Sequence, residues 1–99
     1  MMTQEREIEA RLNAIVAKHG GHALKWVCPG WAGVPDRILL LPGGGILFVE
    51  TKRPQGGRMS ALQKYWRRRL VDLGFEFWRV QTFDDLADID RYIADLMKK

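Results

Sequence analysis

Two nearly continuous apolar runs, Arg37 to Leu41 and Ile46 to Glu50, are separated only by Pro42-Gly43-Gly44-Gly45. Strand-forming residues on either side of a glycine-rich turn read as a β-hairpin. A hairpin with one wet face would alternate apolar and polar residues, and this one does not. Both of its faces are therefore buried, and helices must cover the sheet they belong to.

The flanking sequence supplies those helices. Ile8, Leu12, Ile15 and Val16 recur at helical spacing and predict a helix over residues 4–19, with Thr3 as its N-cap, Glu5 and Glu7 in its first turn and Gly20-Gly21 as its stop. Ala23 to Val27 reads as a short strand, followed by a loop, Pro29-Gly30-Trp31-Ala32-Gly33. After the hairpin, a loop over 54–59 leads to Ser60, the N-cap of a helix that runs to Leu73 and stops at Gly74, with Leu62, Trp66, Leu70 and Leu73 on its buried side. Phe75 to Val80 is a further strand, and Thr82 opens a last helix with Leu86, Ile89, Ile93 and Leu96 inward. The order αββ(β)αβα gives an α/β fold, a mixed central sheet flanked by helices, in one domain over residues 1–99. At 99 residues the core is modest, since a chain of this size buries only ~65% of its unfolded surface. The lone cysteine, Cys28, rules out an internal disulfide framework and a cysteine-only zinc site, and is best accommodated as a small buried hydrophobe. No uncharged run approaches the ~18 residues of a membrane span, and Met1 to Arg11 has no apolar signal-like segment, so a soluble, cytoplasmic setting without a membrane partner is expected.

Charge is unevenly placed. Residues 1–50 carry five basic and five acidic side chains, so the net +4 lies wholly in residues 51–99. Lys52, Arg53, Arg58, Lys64, Arg67, Arg68 and Arg69 fall within 18 residues that contain no acid. A basic block in a neutral background suits a polyanion, because neutralised phosphates release their condensed counterions. On the second long helix, Lys64, Arg67 and Arg68 lie away from the apolar side, as phosphate contacts require.

The block begins at a chemically informative place. Glu50 and Lys52 are two apart on an extended chain, so their side chains share a face while Thr51 points away. If residue 41 faces 46, the hairpin sets 36 opposite 51, which brings Asp36 to the same sheet edge but on the other face from Glu50. A bulge, or the kink at Pro35, would then have to re-aim Asp36. Two carboxylates at one strand edge repel unless a cation lies between them. Mg²⁺ or Mn²⁺ suits hard oxygen ligands, and the backbone carbonyl of Thr51 is a natural third donor. Such an ion activates a water and offsets charge on a phosphodiester, with Lys52 positioning that water.

Gly33-Val34-Pro35-Asp36, then Phe48-Val49-Glu50-Thr51-Lys52, then Ser60-x-x-Gln63 resembles the PD-(D/E)XK nucleases, and among them the stand-alone VRR-NUC (virus-type replication-repair nuclease) domains of phages and bacteria. The resemblance covers roughly residues 5–83. It implies a restriction-endonuclease-like core and a Mg²⁺- or Mn²⁺-dependent DNA endonuclease, acting in the bacterial cytoplasm or that of a phage's host. Small members of the family are similar to homodimeric resolvases that cut branched DNA, above all four-way (Holliday) junctions. A homodimer also suits a small core and a substrate with two symmetric strands. The family's metal-reaching glutamate on the first helix falls on Glu9, whose distance to Gly20-Gly21 fits, or on Glu5, one turn earlier on the same face. The family's glutamine falls on Gln63, which the Ser60-Ala61-Leu62-Gln63 capping box would also use locally. The catalytic set implied is Asp36, Glu50, Lys52, Glu9 and Gln63, with Arg53, Arg58, Lys64, Arg67 and Arg68 on DNA.

His19 and His22 have no partner at metal-ligand spacing and read as solvated. Trp31 stands just upstream of Asp36, where it could stack on a splayed base or meet a second copy. Two other functions fit the same residues: a non-catalytic nucleic-acid-binding module, and a nuclease subunit active only within a larger replication or repair assembly. Binding indifferent to Mg²⁺ marks the first, and an inactive purified chain that still binds metal marks the second.

Overall fold

The hairpin closes through a longer turn than its sequence suggests. Leu41 N–H donates to the Gly45 carbonyl at 2.9 Å, and a single 3₁₀ turn, Pro42–Gly44, fills the space between. Gly43 and Gly44 take φ of +84° and +91°, a region that side-chain-bearing residues avoid. The loop is thus one residue longer than expected, and Leu40 rather than Leu41 pairs with Ile46. This corrects the register: Arg37 lies opposite Val49. Asp36 stands in a bend just before the ladder, and its carboxylate turns to Thr51, on the face away from Glu50.

The computed structural model describes residues 5–53 and 56–98; Thr3, the expected cap of the first helix, lies outside the described residues. The elements are α1 (Glu5–Lys18), β1 (His22–Lys25), β2 (Arg37–Leu40), β3 (Ile46–Thr51), α2 (Ala61–Asp72), β4 (Glu76–Val80) and α3 (Phe83–Met97). The sheet order is β1-β2-β3-β4, antiparallel in the first two pairings and parallel between β3 and β4. The order is that of the expected α/β fold, with the bracketed strand present. A parallel pair needs a crossover connection, and α2 provides it.

Ile8, Leu12 and Val16 of α1 and Leu86, Ile89 and Ile93 of α3 bury against Leu39, Leu47, Val49 and Val80 on one face of the sheet. On the other face, α2 packs on β4, which leaves the β1–β2 end open. Leu24, Leu40 and Ile46 are exposed there, and so are Phe75 and two residues expected to be inward on α2, Leu62 at 52% and Leu73 at 53% exposure. Only Leu70 of α2 is buried, and Trp66 is half-buried. Cys28 is likewise half-buried rather than in the core. The predicted capping box of Ser60 with Gln63 forms, and Thr82, expected to open the last helix, makes a second one with Asp85. Among the described residues no helix is long and apolar enough to cross a membrane.

Candidate active site

The start of β2 and the end of β3 meet at one end of the sheet. Asp36 is fixed there by its backbone, whose carbonyl accepts from Trp26 N–H at 2.8 Å, and by its carboxylate, which accepts from Thr51 N–H at 3.0 Å and the Thr51 hydroxyl at 2.6 Å. Thr51 is fully buried. Its side chain does point to the face opposite Glu50, as pleating requires, yet this brings it into the cluster. The hydroxyl proton goes to Asp36, and the same oxygen lies 3.2 Å from Glu9 Oε1, spacing the two carboxylates.

Glu9 sits on α1 directly over this end of the sheet, with Glu5 one turn before it. Glu5, Glu9 and Asp36 each offer a carboxylate oxygen within 4.8 Å of the others. Three hard anionic donors at this spacing fit a Mg²⁺- or Mn²⁺-type ion and lack the nitrogen or sulfur that zinc or copper prefers.

Glu50 faces the α2 side and is buried at 4% exposure. Its Oε2 accepts from Gln63 Nε2 at 2.9 Å and lies 3.4 Å from Lys52 Nζ. Lys52 Nζ donates in turn to Gln63 Oε1 at 3.0 Å, the oxygen that also accepts from Ser60 N–H. Gln63 thus caps its helix and ties the helix to Glu50 and Lys52 at once. Burial, then the charge on Asp36, pushes the Glu50 carboxyl up to about 7, while Lys52 pulls it down and Glu5 adds a smaller upward push.

Gly33 lets the two walls of the site approach. At φ +89° it packs on Leu62 so closely that a β-carbon would stand 2.5 Å from the Leu62 β-carbon and 2.7 Å from its carbonyl carbon. The Gly-x-Pro-Asp loop is thereby seated on the first turn of α2, beside Gln63.

Among solved structures, one described as a VRR_NUC domain superposes with a TM-score of 0.82 at 25% identity, covering 88% of this chain and 94% of that one. No family model matches the sequence. "Putative nuclease p44" of Acyrthosiphon pisum secondary endosymbiont phage 1 is 44% identical over 75 residues, spanning 76% of this chain and 80% of that protein. The chain belongs to the VRR-NUC family.

In this VRR-NUC domain the basic residues line a run of adjoining clefts that starts at the carboxylates. The first, about 350 Å³, is bounded by Glu5, Lys52, Arg53, Gly56, Gly57 and Arg58. Gly57 and Arg58 are shared with a second of about 410 Å³, which adds Lys64, Arg67 and Arg79. Lys64 and Arg67 are shared with a third, of about 270 Å³, which adds Arg68. Arg53, Arg58, Lys64, Arg67 and Arg68 thus form one track along α2, and Arg69 is exposed as well.

Two residues at the site carried no local signal in the sequence. Arg79 on β4 is set beside Glu50 by the parallel register. Arg37, taken as an ordinary hairpin residue, reaches Glu9 Oε2 at 2.8 Å. His19 and His22 are not near the carboxylates. His19 is not simply solvated: its Nε2 lies 2.7 Å from Asp90 on α3, which also holds Lys18. Trp31 is 61% exposed and meets Trp66 edge-on, at 5.8 Å between centroids.

Proposed function

We propose that this domain, over residues 1–99, is a metal-dependent DNA endonuclease that hydrolyses phosphodiester bonds in branched DNA, with four-way junctions as the preferred substrate. The observation that carries this is the convergence of Glu5, Glu9 and Asp36 within 4.8 Å, beside Lys52, at the head of a basic track. Asp36 and Glu9 would hold Mg²⁺ or Mn²⁺, joined by Glu50, the Thr51 carbonyl and, alongside, Glu5. When bound, such an ion supplies Lewis acidity to the phosphoryl oxygens and lowers the pKa of water.

The chain's own side chains do the rest. Lys52, pinned by Gln63 and Glu50, places an ammonium where the pentavalent phosphate gains negative charge and can orient the attacking water. A water oxygen forms the new P–O bond as the water gives up a proton to solvent, an ester P–O bond breaks, and the leaving alkoxide takes a proton from solvent. Arg53, Arg58, Lys64, Arg67 and Arg68 hold flanking phosphates. The open β1–β2 end of the sheet, with Leu24, Leu40 and Ile46 exposed, supports a homodimer in which a second copy covers it and supplies the second cut of a symmetric junction. Its setting is the cytoplasm, of a bacterium or of a phage's host.

The test is cleavage of a four-way junction, a flap and a linear duplex by purified protein in Mg²⁺, Mn²⁺ or EDTA, beside Lys52→Ala and Asp36→Asn. Metal-dependent cutting of the junction that both variants lose is expected, and cutting retained by both would overturn the site. Equal cutting of all three substrates would remove the preference for branched DNA. Binding indifferent to metal, with no product, would leave a nucleic-acid-binding module, and an inactive chain that binds metal would leave a subunit of a larger assembly. Sedimentation reads the dimer, and a monomer at micromolar concentration counts against it.

A further inference from the structure

Arg37 stands in the wrong kind of row. Its register partner is Val49, and its β2 neighbour on the same face is Leu39, both fully buried in the core. Yet the Arg37 side chain is only 13% exposed. Burying a guanidinium costs several kcal/mol unless it is paired and hydrogen-bonded, so an aliphatic residue would suit the row better. What Arg37 obtains there among the described residues is Glu9 Oε2 at 2.8 Å, across 28 residues of sequence. Its Nε is buried without a partner among the described residues, so local packing does not account for the group.

The other Glu9 oxygen shows what the pair achieves. Oε1 lies at the Thr51 hydroxyl, and that hydroxyl donates to Asp36. The order Arg37, Glu9, Thr51, Asp36 is a continuous chain of polar contacts beneath the carboxylate cluster. With Oε2 held by Arg37 and Oε1 at the Thr51 hydroxyl, both oxygens of the Glu9 carboxylate are engaged, in a group that also lies beside Asp36 and Glu5.

From this arrangement we infer that Arg37 is a positioning residue for the proposed metal site, holding Glu9 in its ligating orientation through the Oε2 contact. The inference rests on the metal-dependent reading above and concerns how that site is preorganised. Outer partners of ligating groups, when removed, commonly cost 10–100-fold in metal affinity. A lysine keeps the buried charge but not the fixed planar fork.

The test is calorimetric titration of metal-stripped protein with Mn²⁺, without DNA, so that turnover plays no part. Arg37→Met is expected to weaken Mn²⁺ binding 10–100-fold and Arg37→Lys by about 10-fold. In a Glu9→Gln background, Arg37→Met should cause no further loss, because its effect runs through Glu9. A purely structural role would instead add its full loss on top of Glu9→Gln, and that result overturns the inference. So does unchanged or tighter binding in Arg37→Met or, should that variant fail to fold by far-UV circular dichroism, in Arg37→Lys. A wild-type protein that binds no Mn²⁺ overturns the metal-dependent reading itself, and this inference with it, whereas wild-type binding with indifferent Arg37 variants overturns this inference alone.

Discussion

Glu50→Gln should make the metal-free protein more stable while abolishing its function. Burial and the Asp36 charge raise the Glu50 carboxyl from 4.5 to about 7, so ionised Glu50 destabilises the folded state. The sign follows from proton counts. Between the unfolded and folded values the native chain binds more protons than the unfolded one, so stability falls as pH rises from about 4.5 to about 7 and is flat above. At about 1.4 kcal/mol per pKa unit, the full effect is about 3 kcal/mol at pH 8 and roughly 1 kcal/mol at pH 5. Glutamine keeps the shape and an oxygen able to accept from Gln63, but has no charge to desolvate. Urea unfolding in EDTA should therefore show the variant gaining about 3 kcal/mol over wild type at pH 8 and much less at pH 5. An equal gain at both pH values, or none at pH 8, would refute the assignment of Glu50 as a destabilising buried charge.

Arg67→Ala should weaken binding to DNA of any sequence and reduce the slope of log affinity against log salt by about 1, as loss of one phosphate contact does. Hydrogen bonds from Lys18 and then His19 hold the Asp90 carboxyl below its usual 3.8, so this group contributes stability above that value and loses it as pH falls through its folded pKa. Asp90→Asn should accordingly lower Tm at pH 7 and by less at pH 3. Ile93, fully buried between α3 and the sheet, should cost 2–5 kcal/mol on replacement by alanine, read by urea unfolding at constant slope.

What the sequence disclosed was whatever period and local chemistry record. Ile8, Leu12 and Val16, and Leu86, Ile89 and Ile93, mark their helices by spacing alone, and Ser60–Gln63 and Thr82 mark two helix starts. Asp36, Glu50 and Lys52 were legible because a charged residue at the end of an apolar strand has little packing reason to be there. The hairpin register was not, since Leu41 and Gly45 close the turn by a backbone hydrogen bond that no side chain announces. Leu62 and Leu73 misled for a different reason. Helical spacing shows which side of α2 is apolar, but not that the helix covers only the β4 end of the sheet. Thr51 was credited with a carbonyl alone, because pleating sends its side chain to the far face. Only the position of α1 makes that face part of the site. The pairing of Arg37 with Glu9 is likewise a product of tertiary packing.

The contact between Gly33 and Leu62 has a consequence for how the site comes together. Asp36 stands just before β2 and is tied to Thr51 on the α1 side of the sheet, whereas Gln63 and, through it, Lys52 are held by the first turn of α2. The gap between these two supports is gauged by a missing methyl group. A single carbon at position 33 would force them apart by about half an ångström, since it would stand 2.5 Å from an atom it cannot approach within 3.0 Å. The tolerance of the whole constellation is thus set outside it, by a residue with no functional group, and the width of the opening is written into the chain as an absence.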